Sequence, residues 1–468
     1  MKKRHCNLIL GQIIFLCILI FHYPKLLSEN RFKIPKYDKF ILTNGLTVYL
    51  MEQHKVPLIY VSVRFPVGAV KDNGLYGISS MTADAILLGT KNYKKEQIEE
   101  ILDFLGVSYS TDIDLETTSI SMSFHASNQE KVWPILKELM IHPNFEPQEV
   151  EKYKRNLVLK LRQEKDIPRA IISSYARKFI FGEHEYSNPI HGIASIVDKI
   201  TAKDLENFFT ANYLPDGAAI AIVGDFETLT MKANIIDLFN DWKSKLKSNE
   251  FKYKNLPTFN QSRILLIDKK DATETQFIIG GLGIPYSCPD YNSIQVVNTI
   301  LGGCFNSMLN EELRVNKGLT YGANSYFFTY KKSGIFLIYS SAKTQFIEKT
   351  IDLALEVLNR LHENEITEKN VKSAKNYLKG QFPQRYETGE NLAYLLTNIF
   401  IYGLNDSMIN NFQSDIDNLS TEKMREITNK YFPRKNLQFI IIGNASKIKD
   451  SLKKYGIITE KNIKDEGY

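Results

Sequence analysis

The chain states one pattern twice. Ile200-Thr201-Ala202-Lys203-Asp204, then Tyr213-Leu214-Pro215 and Ile220-Ala221-Ile222-Val223-Gly224-Asp225, describes a capped helix, a turn and a buried strand. About 220 positions later the same order returns as Leu419-Ser420-Thr421-Glu422-Lys423, Tyr431-Phe432-Pro433 and Phe439-Ile440-Ile441-Ile442-Gly443-Asn444. Ala85-Ile86-Leu87-Leu88-Gly89 matches Asn298-Thr299-Ile300-Leu301-Gly302 at a similar spacing. A period of roughly 215 residues, filling the chain after its first few dozen positions, constrains the fold to two tandem homologous domains.

Each half is expected to open with a hairpin; in the first, strands over 40–43 and 46–50 flank Asn44-Gly45. Alternating stretches at 59–65 and 118–124 read as strands. Helices are expected over 95–105, 130–140, 147–162, 346–362 and 367–381, and another over 290–301. Strands and helices mixed without regular β-α alternation give an α+β fold, a largely antiparallel sheet backed by helices in each half. The polar segment 243–260, rich in Lys, Ser and Asn with Pro257, is the expected linker.

With 43% hydrophobic and 24% charged residues the chain is of ordinary globular composition, long enough for two cores. Its net charge of +6 is spread along the sequence, and no arginine-rich or basic-aromatic stripe points to nucleic acid. The start differs: Lys2-Lys3-Arg4 precedes an apolar run over 8–21, short of the ~20 residues that span a bilayer comfortably. Residues 1–30 are therefore read as a signal peptide or N-terminal anchor, placing the protein outside the cytoplasm, in or facing the periplasm. Of four cysteines, Cys6 and Cys17 belong to this leader. Cys288 and Cys304 flank the helix expected at 290–301, which would hold them roughly 18 Å apart, too far for a disulfide. Both are read as free, buried thiols.

The segment Gly77-Ile78-Ser79-Ser80-Met81-Thr82-Ala83-Asp84-Ala85-Ile86-Leu87-Leu88-Gly89-Thr90 carries the frame of a metal helix. It resembles the zinc helix of the pitrilysin/insulinase/processing-peptidase family, which reads roughly G-x-x-H-x-x-E-H-x-x-x-x-G-T. In that frame Ser80 and Asp84 stand at the two histidine ligands and Ala83 at the catalytic glutamate. Residues four apart share a helix face, so the motif works by gripping one ion while the Glu deprotonates its water. A neutral hydroxyl, a methyl and one carboxylate make no such site. The resemblance places the third ligand, a glutamate, at or near Lys160, whose ammonium repels a dication. No zinc or other cofactor is expected in this chain.

The second half holds Leu301-Gly302-Gly303-Cys304-Phe305-Asn306-Ser307-Met308-Leu309-Asn310-Glu311-Glu312-Leu313-Arg314-Val315-Asn316-Lys317-Gly318-Leu319-Thr320-Tyr321. Locally this is a helix ending near Arg314, a Lys-Gly C-cap and a strand from about Leu319. On its own, an Arg at a helix end answers the dipole and a strand Tyr packs. The stretch resembles the family's R-x-x-x-G-L-x-Y signature, which implies that Tyr321 donates to the scissile carbonyl or its oxyanion and that Arg314 holds substrate carbonyls. Fixed donors of this kind stabilise developing negative charge.

The resemblance covers nearly everything after residue 35: a first peptidase-like domain over 36–242 with a degenerate zinc site, and a second over 261–460 with the Arg/Tyr motif. It implies half of a clamshell, paired as a heterodimer with a homologous subunit that bears H-x-x-E-H and zinc. The function expected is therefore a non-catalytic, substrate-binding subunit for peptide proteolysis, inactive alone. A scaffold subunit of a membrane assembly, held through residues 8–21, and a stand-alone peptide-binding chamber are the alternatives. Three weaker signals remain. His184 and His191 flank Pro189 in a loop resembling the family's H-P-Y-G-x-P-x-x-G, where loop packing outweighs metal binding. Residues 106–112 occupy the family's peptide-contacting strand but depart from its N-A-x-T pattern. Ser80 with Asp84 evokes a serine hydrolase, yet no histidine base is placed beside them by sequence.

Overall fold

A computed structural model describes residues 31–243, 251–363 and 366–468. The leader expected over 1–30 lies outside the described residues, as does 244–250 within the expected linker. Among the described residues no helix is long and apolar enough to cross a membrane.

The repeat becomes two six-stranded sheets. The first uses β1 (Asp38–Ile41), β2 (Thr47–Glu52), β3 (Leu58–Phe65), β4 (Ser108–Ile113), β5 (Thr118–His125) and β6 (Ala219–Gly224) in the order β1-β2-β6-β3-β5-β4. The second uses β7 (Arg263–Asp268), β8 (Glu274–Leu282), β9 (Ala323–Thr329), β10 (Gly334–Lys343), β11 (Gln438–Gly443) and β12 (Ile457–Asn462) in the order β12-β7-β11-β8-β10-β9. Antiparallel ladders dominate, but β2–β6, β7–β11 and β7–β12 are parallel. The fold is α+β.

The hairpin expectation holds in the first half only. There β1 and β2 are joined through Thr43-Asn44-Gly45; Gly45 N donates to Leu42 O (2.9 Å), and its φ of +94° is the left-handed turn position that favours glycine. In the second half β7 and β8 are not neighbours, because β11 lies between them, and the edge beside β7 is filled from the C-terminus by β12. The chain ahead of β7 cannot supply that edge strand because it is engaged with the first half. Lys254 N donates to Glu185 Oε2 (3.0 Å), and the Tyr253 ring stacks on His184 with centroids 5.6 Å apart.

The expected helices form as Lys95–Phe104, Gln129–Ile141, Pro147–Glu164, Ile347–His362 and Glu368–Gln381. The helix expected over 290–301 is shorter: Tyr291–Asn298 is α-helical, and Thr299–Gly303 widens to i→i+5 bonding. The strand expected from Leu319 begins at Ala323. Both remaining cysteines are free; Cys288 is buried and Cys304 only half-buried, a partial correction to the reading of two buried thiols.

The central strands explain how the halves are locked. Every residue of β6 and β11 is buried. In β11, Phe439 and Ile441 point into the second half's own core, while Ile440 and Ile442 point to the opposite face. That face is covered by a helix of the first half, Pro168–Phe181, through Ile171, Ile172 and Tyr175. In β6, Ile220 and Ile222 face the first core, whereas Ala219, Ala221 and Val223 meet Leu392, Leu395 and Leu396 of the second half's helix Gly389–Tyr402. Each half thus lends a helix to the outer face of the other's sheet. Strands covered on both faces read as unbroken apolar runs, as these do in sequence.

Polar pins reinforce the exchange. The buried Glu116 carboxylate accepts from the hydroxyls of Tyr186 (2.6 Å) and Tyr253 (3.0 Å) and from the Lys331 amide (2.9 Å), joining first half, linker and second half. Arg64, on β3, is buried; it donates to Asn398 Oδ1, and its guanidinium carbon lies 4.3 Å from the Tyr394 ring centroid.

Candidate functional site

The metal-helix frame folds as the helix Ile78–Ala85. The buried Asp72 carboxylate caps its start, accepting from Gly77 N (2.7 Å) and Ser79 N (3.2 Å). Burial raises the Asp72 pKa to about 7 against those two donors. Gly77 has φ +104°, and a Cβ there would stand 2.8 Å from Val197 Cγ2 and 3.0 Å from Gly192 Cα. That close approach seats the 182–192 loop on the helix start and brings His191 to Ser80, with Oγ 3.1 Å from Nδ1.

Around this pair the expected ligand positions are spoken for. Ser80 and Ala83 are fully buried. Asp84, half-buried, accepts from Thr111 Oγ1 (3.2 Å) on β4 and from the Tyr153 hydroxyl on the helix Pro147–Glu164. Desolvation and the neighbouring Asp84 charge hold the Tyr153 hydroxyl far above its ordinary pKa, so it remains a donor. Lys160 lies two turns beyond Tyr153 on the same helix, exposed, with Nζ 3.9 Å from Glu164 Oε1. His191 has an open edge but is desolvated by surrounding protein; that, and then the Lys160 charge, lower its pKa and keep the imidazole neutral.

The donor set does not fit zinc. Both Asp84 oxygens already take hydroxyl donors, the glutamate position is an exposed cation, and the one neutral imidazole is tied to a serine. A Ser–His pair, which sequence spacing did not reveal, does exist here. Yet Ser80 has no exposed surface, so its Oγ cannot reach a substrate and the pair serves to fix the loop. His184, the loop's other histidine, is buried against Phe181, Tyr186 and Tyr253. Its Nδ1 accepts from Tyr186 N (3.1 Å), the packing role. Among the described residues β4, which includes most of residues 106–112, is an edge strand paired only with β5. Among the described residues one trio of possible metal ligands converges elsewhere, at the exposed Glu52, His54 and Glu227. Both His54 nitrogens there already face carboxylates, Nδ1 to Asp225 (2.6 Å) and Nε2 to Glu52 (2.9 Å), and these raise its pKa toward the imidazolium.

The second constellation is open. Arg314 rides on Asn310–Asn316, a stretch with i→i+5 bonding that ends at Gly318, φ +61°. Gly318 N donates to Arg314 O (3.2 Å) and Leu319 N to Leu313 O (2.9 Å), with Leu313 and Leu319 buried as anchors. The following loop is tied by Gly322 N to Thr320 Oγ1 (3.2 Å) and by the Ser340 hydroxyl to Gly322 O (2.9 Å). At its apex Tyr321 is 92% exposed. The Arg314 guanidinium carbon sits 4.7 Å from the Phe305 ring centroid, a cation–π prop that sequence reasoning missed. Arg314 and Tyr321 line one groove of about 1050 Å³ with Leu319, Phe346, Lys343 and Lys447. Neither side chain has a hydrogen-bond or ion-pair partner among the described residues.

Comparison with known proteins gives the chain its family. Residues 47–192 match a family model described as Insulinase (Peptidase family M16), and residues 199–378 match one described as Peptidase M16 inactive domain. Together they span more than two thirds of the chain. The chain is 23% identical over 457 residues to a Helicobacter pylori protein named non-peptidase homolog YmxG, covering 96% of this chain and 100% of that one. To the zinc protease PqqE of the same organism it is 24% identical over 418 residues, covering 85% and 91%. The fold matches a crystal structure of a peptidase M16 inactive domain from Pseudomonas fluorescens with a TM-score of 0.82 at 22% identity, over 87% of this chain and 98% of that one.

Proposed function

The chain belongs to the M16 peptidase family, and on that premise we propose that it is a non-peptidase member which binds substrate for a zinc-bearing homologous subunit. The observation that carries this reading is the contrast between the two halves. The first half's ligand positions are occupied by a serine, a methyl, a sequestered carboxylate and an ammonium. The second half holds a phenol and a guanidinium at an open groove, with no hydrogen-bond or ion-pair partner among the described residues. A tyrosine with 92% of its surface in water gains nothing by packing, so a role for its hydroxyl lies outside the chain.

In this reading an extended peptide lies in the groove of one half of a clamshell. Arg314 holds backbone carbonyls with its fixed fork, and Tyr321 donates to the carbonyl oxygen as charge develops on it. The partner supplies the metal, the attacking water and the general base. The basic, apolar leader supports export, with the complex in the periplasm or anchored facing it. One Helicobacter pylori relative is named a zinc protease and another a non-peptidase homolog, so chains of both kinds are found in one organism, as this reading requires.

The test is reconstitution. The isolated chain should bind no stoichiometric zinc and cleave nothing. With a zinc-bearing M16 subunit co-purified from the same cells, peptidase activity should appear. Tyr321→Phe and Arg314→Ala should each reduce it about 10²-fold or more, the cost of deleting one oxyanion donor. Neither should shift the melting temperature, since both side chains are exposed. Undiminished rates in both variants would end the assignment.

A further inference from the structure

The charges on the groove are lopsided. Arg314, Lys343 and Lys447 line it, all exposed, against a single acid, Glu274. That acid is occupied, since Glu274 Oε1 accepts from the Ser341 hydroxyl. None of the three cations has an ion-pair partner among the described residues. Several other lysines of the second half do have one: Lys269 with Asp271 (2.7 Å), Lys379 with Asp417 (2.7 Å), and Lys454 with Glu348 and Asp352 (both 2.7 Å). Clustered unpaired cations along a groove raise the local concentration of anions and select against cationic ligands. Beside them Leu319, Ala342 and Phe346 give the groove an apolar wall.

Resting on the substrate-binding reading above, we propose that this groove selects peptides presenting a carboxylate to Arg314, Lys343 and Lys447. The carboxylate comes from an Asp or Glu side chain or from a free C-terminus. Lys343 ends β10 and Lys447 lies on the helix Ala445–Leu452, so the rim is built on regular elements rather than on a mobile loop. Each exposed contact contributes up to about fivefold in affinity, and two or three acting together give about tenfold at low salt.

The experiment measures binding of fluorescent peptides to the isolated chain. The probes are about twelve residues long with one aromatic residue, long enough to lie extended along the groove. One carries internal Asp with an amidated end. A second has a free C-terminal carboxylate and no internal acid, a third carries Lys in place of Asp, and a fourth is neutral. At least one carboxylate-bearing peptide should bind about tenfold tighter than the Lys peptide at ~0.05 M salt, and the difference should collapse at ~0.5 M. The first two arms identify the source of the carboxylate. A Lys343→Glu/Lys447→Glu chain should lose the preference while keeping its affinity for the neutral peptide; Lys343→Gln/Lys447→Gln should weaken the preference without reversing it. Equal binding of acidic and basic peptides, or a preference that survives both lysine variants, overturns the inference and leaves the substrate-binding reading standing. If no peptide binds, that reading falls and the inference with it.

Discussion

Exchange of helices between the halves has a thermodynamic consequence that one substitution exposes. Leu396 belongs by sequence to the second half, yet it is fully buried on the outer face of the first sheet, beside Ala219 and Ala221. Leu396→Ala removes its buried methyl groups and leaves a cavity against residues with no side chain long enough to fill it, costing about 3 kcal/mol. The shift in melting temperature depends on how much chain unfolds with it. Unfolding entropy is about 2.1 cal/mol/K per residue, so a cooperative unit of both halves, residues 31–468, carries roughly 0.9 kcal/mol/K and one half roughly 0.45. The same substitution therefore lowers Tm by about 3 °C if both halves melt as one, and by about 7 °C if the affected half melts alone. Because Ile172 is the mirror-image contact, buried from the first half against the second sheet, Ile172→Ala should give a shift of the same size. Scanning calorimetry should show a single endotherm that both substitutions displace by the smaller amount. Two resolved endotherms, each moved by only one of the substitutions, would refute the claim that the halves are thermodynamically interlocked.

Two further outcomes follow from buried carboxylates. Glu116→Ala strands the hydroxyls of Tyr186 and Tyr253 and the Lys331 amide without their acceptor, and chemical denaturation should register a loss of about 2–3 kcal/mol, partly recovered by Glu116→Gln. Asp72 has its pKa raised by burial to about 7, above its unfolded value. Its neutral form is therefore favoured in the fold: the stability it contributes is full below about pH 4 and is lost as pH rises through 7. Urea midpoints should fall between about pH 4 and 7 by an amount that Asp72→Asn abolishes; an unchanged slope in that variant would assign the pH dependence elsewhere.

Local sequence carried a good deal of this molecule. The repeat, the helices expected over 95–105, 130–140, 147–162, 346–362 and 367–381, and the buried character of β6 and β11 were legible, because periodicity records which faces of an element are apolar; the helices Pro168–Phe181 and Gly389–Tyr402 were not among those expected. That Ser80, Ala83 and Asp84 share one helix was legible for a similar reason, since their spacing is helical and the helix Ile78–Ala85 carries all three. Periodicity does not say what covers an apolar face. That the Pro168–Phe181 helix covers the second sheet and Gly389–Tyr402 the first, and that β12 rather than a hairpin fills the edge beside β7, are decisions of tertiary packing. So are the seating of His191 on Ser80, the hydroxyl of Tyr153 on Asp84, the Phe305 ring under Arg314, and the meeting of Lys343 with Lys447 at one groove. These pairs lie from about ten to more than a hundred positions apart. Only the folded arrangement of two interlocked halves, each burying surface the other leaves exposed, brings them within reach.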